Sequence, residues 1–340
     1  MQKNTFDISW VSLWKIAFFI LLIVVLFGGR HILLGLFLAI VISSGVEQIV
    51  SFFERFGLSR IFGVILVFLL VLLLFILIFY AVAPALVSDL FAVVSNLNKV
   101  ARDLGIGPLF NVKTATTLNS LLSQFSAKLF AAGASPLLVL SQIVGGVGFV
   151  LAVFVSSFYL SLSRDGVGRF IRAVFPADYE EAALRIYERS RRKIGSWFRT
   201  QILLSIIMGG LVWIVLSILG VPHAFLIAVF TAMLEIVPYV GPILAGTIAV
   251  AIAMNVSLPI AIYTLIAFVV LQQLENHLLV PYLTGRSVGL HPVIVIISLL
   301  IGAQSAGFLG IIIAVPAAGV LQEIIEEWST KKRARLAEAV

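Results

Sequence analysis

Residues 61–83 read IFGVILVFLLVLLLFILIFYAVA, a run almost wholly of Leu, Ile, Val and Phe that stops at Pro84. A helix needs about 20 apolar residues to cross a hydrocarbon core of roughly 30 Å, and this stretch meets that length with no charge in it. It is the clearest of several such runs. The whole chain of 340 residues is 61% hydrophobic and 11% charged, with a mean hydropathy of +1.16. A water-soluble surface needs far more charge than that. The fold class expected is therefore all-α: a polytopic transmembrane helix bundle of about eight passes, including two Pro/Gly-broken helices or hairpins.

Working outward, residues 10–27 open with Trp10 and Trp14 at interfacial depth and form an uncleaved first span. A tight turn at Gly28, Gly29 and Arg30 returns the chain through 32–46, and 47–60 is a short connection. Residues 1–84 thus group as N-terminal spans. Over 85–136 apolar residues recur at helical spacing (Leu90, Phe91, Val94 and Leu97; Leu118, Leu121, Leu122, Phe125 and Leu129), which predicts an outer-face amphipathic insert that buries one face against neighbours or the membrane. Residues 137–163 are a fourth span, whose Gly145, Gly146 and Gly148 permit close helix approach. A basic cytoplasmic loop occupies 164–200, helical over 178–199; 201–325 is the C-terminal core, and 326–340 a basic cytoplasmic tail.

The net charge of +7 follows this topology. Basic residues gather at the N-terminus, in 164–199 and in Lys331, Lys332, Arg333 and Arg335, which places these segments together in the cytoplasm. No nucleic-acid partner is implied. With no cysteine, thiol metal sites and disulfides are excluded. There is no H-E-x-x-H, Walker loop or G-x-S-x-G, so neither enzyme chemistry, a cofactor, a metal site nor ATP-driven transport is expected.

Two carboxylates stand out in the core region. Glu275 sits within the apolar stretch 260–282 beside Gln272, Gln273, Asn276 and His277, and Glu235 precedes Pro238, Tyr239, Gly241 and Pro242 in another. A charged side chain at such depth costs roughly 2.5–3.5 kcal/mol and marks a functional site by default. The prolines remove amide donors, so 222–254 divides into two pieces of about 13 residues, each too short alone to span. Residues 291–321 are interrupted again, across Gly302 to Gly310 with Gly307 between. Paired interrupted segments point to a transporter's binding site. Freed carbonyls at the first break favour a cation, a proton or a hydroxyl-rich solute. Helical spacing puts Gln272, Glu275 and Asn276 on one face as a hydrogen-bonding cluster; His277 and His291 are structural or interfacial.

The motifs Glu235-Ile236-Val237-Pro238-Tyr239-Val240-Gly241-Pro242 and Gln273-Leu274-Glu275-Asn276-His277-Leu278-Leu279-Val280-Pro281, running on through Gly285-Arg286-Ser287-Val288-Gly289-Leu290-His291-Pro292, resemble those of the autoinducer-2 exporter family of bacterial permeases. So do Gly307-Phe308-Leu309-Gly310 and Ala314-Val315-Pro316. The resemblance implies efflux of small polar or amphiphilic solutes, including the autoinducer-2 quorum signal, and a homo-oligomer, expected to be a pentamer. Other members look like sodium/proton antiporters. Motif positions carried over are Glu235, Pro238, Gly241, Pro242, Glu275, Pro281 and Pro316. Three readings result: a gradient-driven solute exporter using Glu235, Glu275, Gln272, Asn276 and Tyr239; a sodium/proton antiporter on the same two carboxylates; and a membrane scaffold without transport.

Overall fold

The computed structural model describes residues 28–77, 84–93, 146–163, 165–284 and 290–338, with a few single positions between them. Among these every regular element is a helix. The first span expected, 10–27, and nearly all of the amphipathic insert beyond residue 93 lie outside the described residues.

Helix α1 (Arg30–Arg55) begins at the expected Gly28–Arg30 turn but does not end near residue 46. Glu47 continues the helix because it faces partners rather than water: Arg60 Nη2 lies 2.5 Å and Arg191 Nη2 3.4 Å from its carboxylate. Gly57, at φ 90°, reverses the chain into α2 (Arg60–Leu77). Arg60 also donates to the carbonyls of Ser161 (2.5 Å) and Leu162 (3.0 Å), capping the end of α4. Helix α3 is Pro84–Val93, and α4 is Val147–Leu162.

Helix α5 (Gly166–Val174) turns 95° away from α4. Helix α6 (Ala177–Ile218) comes next, 42 residues long. The helix expected over 178–199 does not stop there but runs unbroken into the apolar half. Its basic half is tied to the far part of α11 by Lys193–Glu323 (2.8 Å), Arg185–Glu327 (3.1 Å) and Arg189–Glu327 (3.5 Å), with both glutamates buried.

The next elements are α7 (Ala224–Leu234), α8 (Val240–Ala253), α9 (Leu258–Leu274), a π-helical turn (Glu275–Leu279), α10 (Val280–Thr284) and α11 (Pro292–Glu338). Helices α7 and α8 do not continue one another across the bundle. His223, just before α7, places Nδ1 2.7 Å from Asp89 Oδ2, and Asn255, just after α8, donates from Nδ2 to the Asp89 carbonyl at 3.0 Å. Both roots therefore hang from one residue of α3, and the pair is a re-entrant hairpin with its tip at 235–239. Ile227, Ala228, Ala249, Ile252 and Ala253 of its arms share a core with Leu86 of α3, Met208, Val212 and Leu216 of α6, and Ala261 and Leu271 of α9.

Helix α11 is folded in the same way. Ala306 (φ −143°, ψ 18°) and Gly307 (φ 58°, ψ −134°) leave helical geometry. Gly302 and Gly310 then approach so closely that a Cβ on either would strike the other's backbone carbonyl. The interruption expected across 302–310 is thus a turn at 306–307 with a glycine–glycine crossing below it. Pro316 lies within the second arm.

Among the described residues five helices are long and apolar enough to cross a membrane: α1, α2, α6, α9 with its continuation to Leu283, and α11. A sixth is reached if α4 and α5 count as one bent span. The expected total of about eight passes is not attained among the described residues.

Candidate functional site

The first hairpin ends because its sequence runs out of donors. Thr231 returns its hydroxyl to the Ile227 carbonyl (2.8 Å), and Glu235 N–H bonds the Thr231 carbonyl (2.9 Å). The Glu235 carbonyl would next be met by residue 238 or 239, but Pro238 has no N–H. Tyr239 instead sits at φ 64°, ψ −46°, and Val240 N–H bonds the Pro238 carbonyl at 2.7 Å. This is the rare, strained form of the γ-turn. Gly241 stands next, where a Cβ would collide with the Leu234 carbonyl, so no larger residue fits the closed tip. Pro238 lies in the break, and Gly241 and Pro242 in the first turn of α8.

The carbonyl left over is taken by Gln201 of α6. Its Nε2 donates to Glu235 O, and the side chain is 5% exposed. Sequence reasoning missed Gln201; its one signal was an amide opening an otherwise apolar run, which reads equally well as a span boundary.

Glu275 arrives from α9. Pro281 supplies no amide six residues on, and the turn before it widens: Val280 N–H reaches back five residues to the Glu275 carbonyl. Widened turns of this kind are frequent at functional sites. The extra residue in the turn rotates the positions beyond Glu275 around the helix axis. Glu275 is buried at 6% exposure and accepts from Gln272 Nε2 at 2.9 Å. Asn276 and His277 point outward, exposed. Of the expected cluster of Gln272, Glu275 and Asn276, Gln272 and Glu275 are hydrogen-bonded and Asn276 is exposed. Tyr239 shapes the tip and is 38% exposed.

The two carboxyl groups meet. Glu235 is fully buried, and the group beside it is the Glu275 carboxyl. Neither Glu235 oxygen has a hydrogen-bond donor. Oxygen faces oxygen, so a bond between the two side chains needs a proton on one of them. Val237 and Val240 of the tip pack against Val295 and Leu299 of the first α11 arm and Ile311, Ile312 and Ala314 of the second. The two folded-back helices consequently touch next to the carboxyl pair. Gly307 and Gly310 shape the second hairpin rather than the pair itself. Among the described residues no group of three or more His, Asp or Glu gathers as a metal site.

Re-entrant helices meeting around buried carboxylates, in a chain of apolar spanning length, define a membrane transport protein. The chain belongs to the AI-2E family transporters, whose sequence model matches residues 16–330. Among relatives, it is 24% identical over 332 residues (93% of this chain, 88% of the relative) to "Putative transport protein YrrI" of Bacillus subtilis. It is 26% identical over 327 residues (93% and 95%) to a "Putative transport protein" of Thermotoga maritima. With "Putative transport protein YueF" of Bacillus subtilis it shares 34% identity over 170 residues, about half of each chain (48% and 46%).

Proposed function

We propose that this chain is a gradient-driven exporter of a small polar or amphiphilic solute, coupled to proton or sodium movement through Glu235 and Glu275. The observation that carries the reading is the buried carboxyl pair with no donor on Glu235. Two carboxylates in contact away from water repel, and burying both unpaired is costly. A proton or a sodium ion belongs with the pair, and exchange of that ion is the elementary event of coupling. The solute class derives from the polar side chains gathered there, Glu235, Glu275 and Gln272; autoinducer-2, a small polyhydroxylated furanone, fits that class and the family's name.

The second reading, a sodium/proton antiporter, is favoured by the same pair because it needs no organic solute. Both readings take the bacterial inner membrane as the setting, with both ends of the chain in the cytoplasm. The ion pairs joining basic α6 to the far part of α11 support this, since they hold the two most basic regions at one end. Assembly as a homo-oligomer, a pentamer, agrees with the broadly exposed apolar surface of α2.

The test is flux in proteoliposomes carrying a pH-sensitive dye, first with sodium and then with labelled autoinducer-2. Solute crossing that vanishes in Glu235→Gln and Glu275→Gln supports export. Sodium-driven proton movement without solute, lost in the same variants, makes the protein an antiporter. Full flux in both variants ends both readings.

A further inference from the structure

Helix α5 has three distinct faces. Successive residues turn about 100° around a helix axis. Gly168 and Ile171 point inward and are buried, Ile171 at 8% exposure. Phe170 and Val174, within about 40° of one another on the helix, are 64% and 58% exposed. Arg172 lies about 160° from both Phe170 and Val174, and Arg169 about 100° from Phe170 and 140° from Val174, by the same geometry. One edge of α5 is thus apolar and uncovered, and the opposite edge is cationic.

The level of this helix is marked by its neighbours. Arg60, paired with Glu47, caps the carbonyls of Ser161 and Leu162, so charges meet the end of α4 where its apolar run stops. Four residues beyond that cap α5 begins, and it leaves at 95° to α4. A helix at right angles to a span, starting where the span ends, runs along the membrane surface. Its two edges then face the two media: Phe170 and Val174 the acyl chains, Arg169 and Arg172 the headgroups.

The cations are available to that surface. Arg169 donates to the neutral Ser163 hydroxyl (3.2 Å), so no acid cancels its charge there. Arg172 pairs with Asp165 at 2.8 Å, but both side chains are about half exposed, 49% and 52%. Water screens such a pair, and it adds little fixed geometry. An apolar edge opposed to an arginine edge is the pattern of helices that lie in the interface and favour anionic lipid.

We propose that α5 is an interfacial helix that seats Phe170 and Val174 in one leaflet and binds anionic phospholipid headgroups through Arg169 and Arg172. The chain contains no cysteine, so a single introduced cysteine carries a unique spin label. The full chain bearing Phe170→Cys, Val174→Cys, Arg169→Cys or Arg172→Cys is reconstituted into phosphatidylcholine vesicles with and without phosphatidylglycerol. Collision with oxygen, which partitions into lipid, is compared with collision with a water-soluble nickel chelate. Labels at 170 and 174 should favour oxygen several-fold over labels at 169 and 172. Phosphatidylglycerol should raise the oxygen-to-nickel ratio at 170 and 174 further, and Arg169→Gln with Arg172→Gln should abolish that rise while leaving the ratio seen in phosphatidylcholine. Equal nickel access at all four positions overturns the interfacial placement. Spin–spin coupling between copies at 170 assigns the apolar edge to a subunit interface and overturns it too. A ratio at 170 and 174 indifferent to phosphatidylglycerol overturns the headgroup assignment.

Discussion

Replacing Gln201 by methionine removes a donor without changing much shape. Gln201 is 5% exposed, and its amide serves the Glu235 carbonyl at the hairpin tip. A buried carbonyl stripped of its partner costs about 1–3 kcal/mol. Interhelical hydrogen bonds in membranes average less, about 0.6 kcal/mol with a maximum near 1.7, because the freed group finds another partner. Here the fallback is closed: Pro238 has no N–H, and Val240 N–H is already spent on the Pro238 carbonyl. The cost should therefore sit at the upper end, about 1.5 kcal/mol, or roughly a tenfold shift in a two-state equilibrium. The assay is the unfolding equilibrium in mixed micelles, combined with amide exchange at 236–241. Gln201→Asn, one methylene too short to reach, should lose the same amount. If Gln201→Met unfolds with the wild-type midpoint and exchange at the tip is unchanged, the carbonyl has another donor and the argument fails.

Gly310→Val places branched carbons where the Gly302 carbonyl already stands; the second hairpin should open or misfold, seen as lost monodispersity in detergent, whereas Gly148→Ala, where a Cβ meets nothing within 4 Å, adds no contact of this kind. Tyr239→Gly relieves a positive φ worth about 1 kcal/mol or more, so the variant should unfold at a higher denaturant midpoint; reduced flux in the same protein would show that the ring itself acts in transport. Lys193→Met and Glu323→Gln each leave a buried charge or polar group without its partner, and a double-mutant cycle should return a coupling of about 1 kcal/mol or more; additive losses would show the pair to be fully screened.

The membrane class and both breaks were legible because they rest on local chemistry: an apolar run of spanning length at 61–83, and prolines and glycines at 238–242 and 307–310. The folding back of each break was not, since a broken span and a hairpin carry the same residues; Asp89 decides it, from a helix remote in sequence. Glu235 and Glu275 each announce themselves by cost, yet nothing in their spacing says that they touch. Asn276 faces outward for a physical reason: adjacent residues stand about 100° apart around a helix, so the position after an inward Glu275 need not share its face. Glu47 looked like the end of a span because its partners, Arg60 and Arg191, come from elsewhere in the chain.

The shared anchorage of the first hairpin sets how it can respond to force. His223 and Asn255 both hold Asp89, one by its side chain and one by its carbonyl. A pull on α3 therefore loads both roots together and tends to carry the α7–α8 unit as a rigid lever, without prising its arms apart. The far end of that lever is the strained γ-turn, with Gln201 as a detent on one side and the arms of α11 as a bearing on the other. Small travel at the surface is thus delivered where the two carboxyls meet.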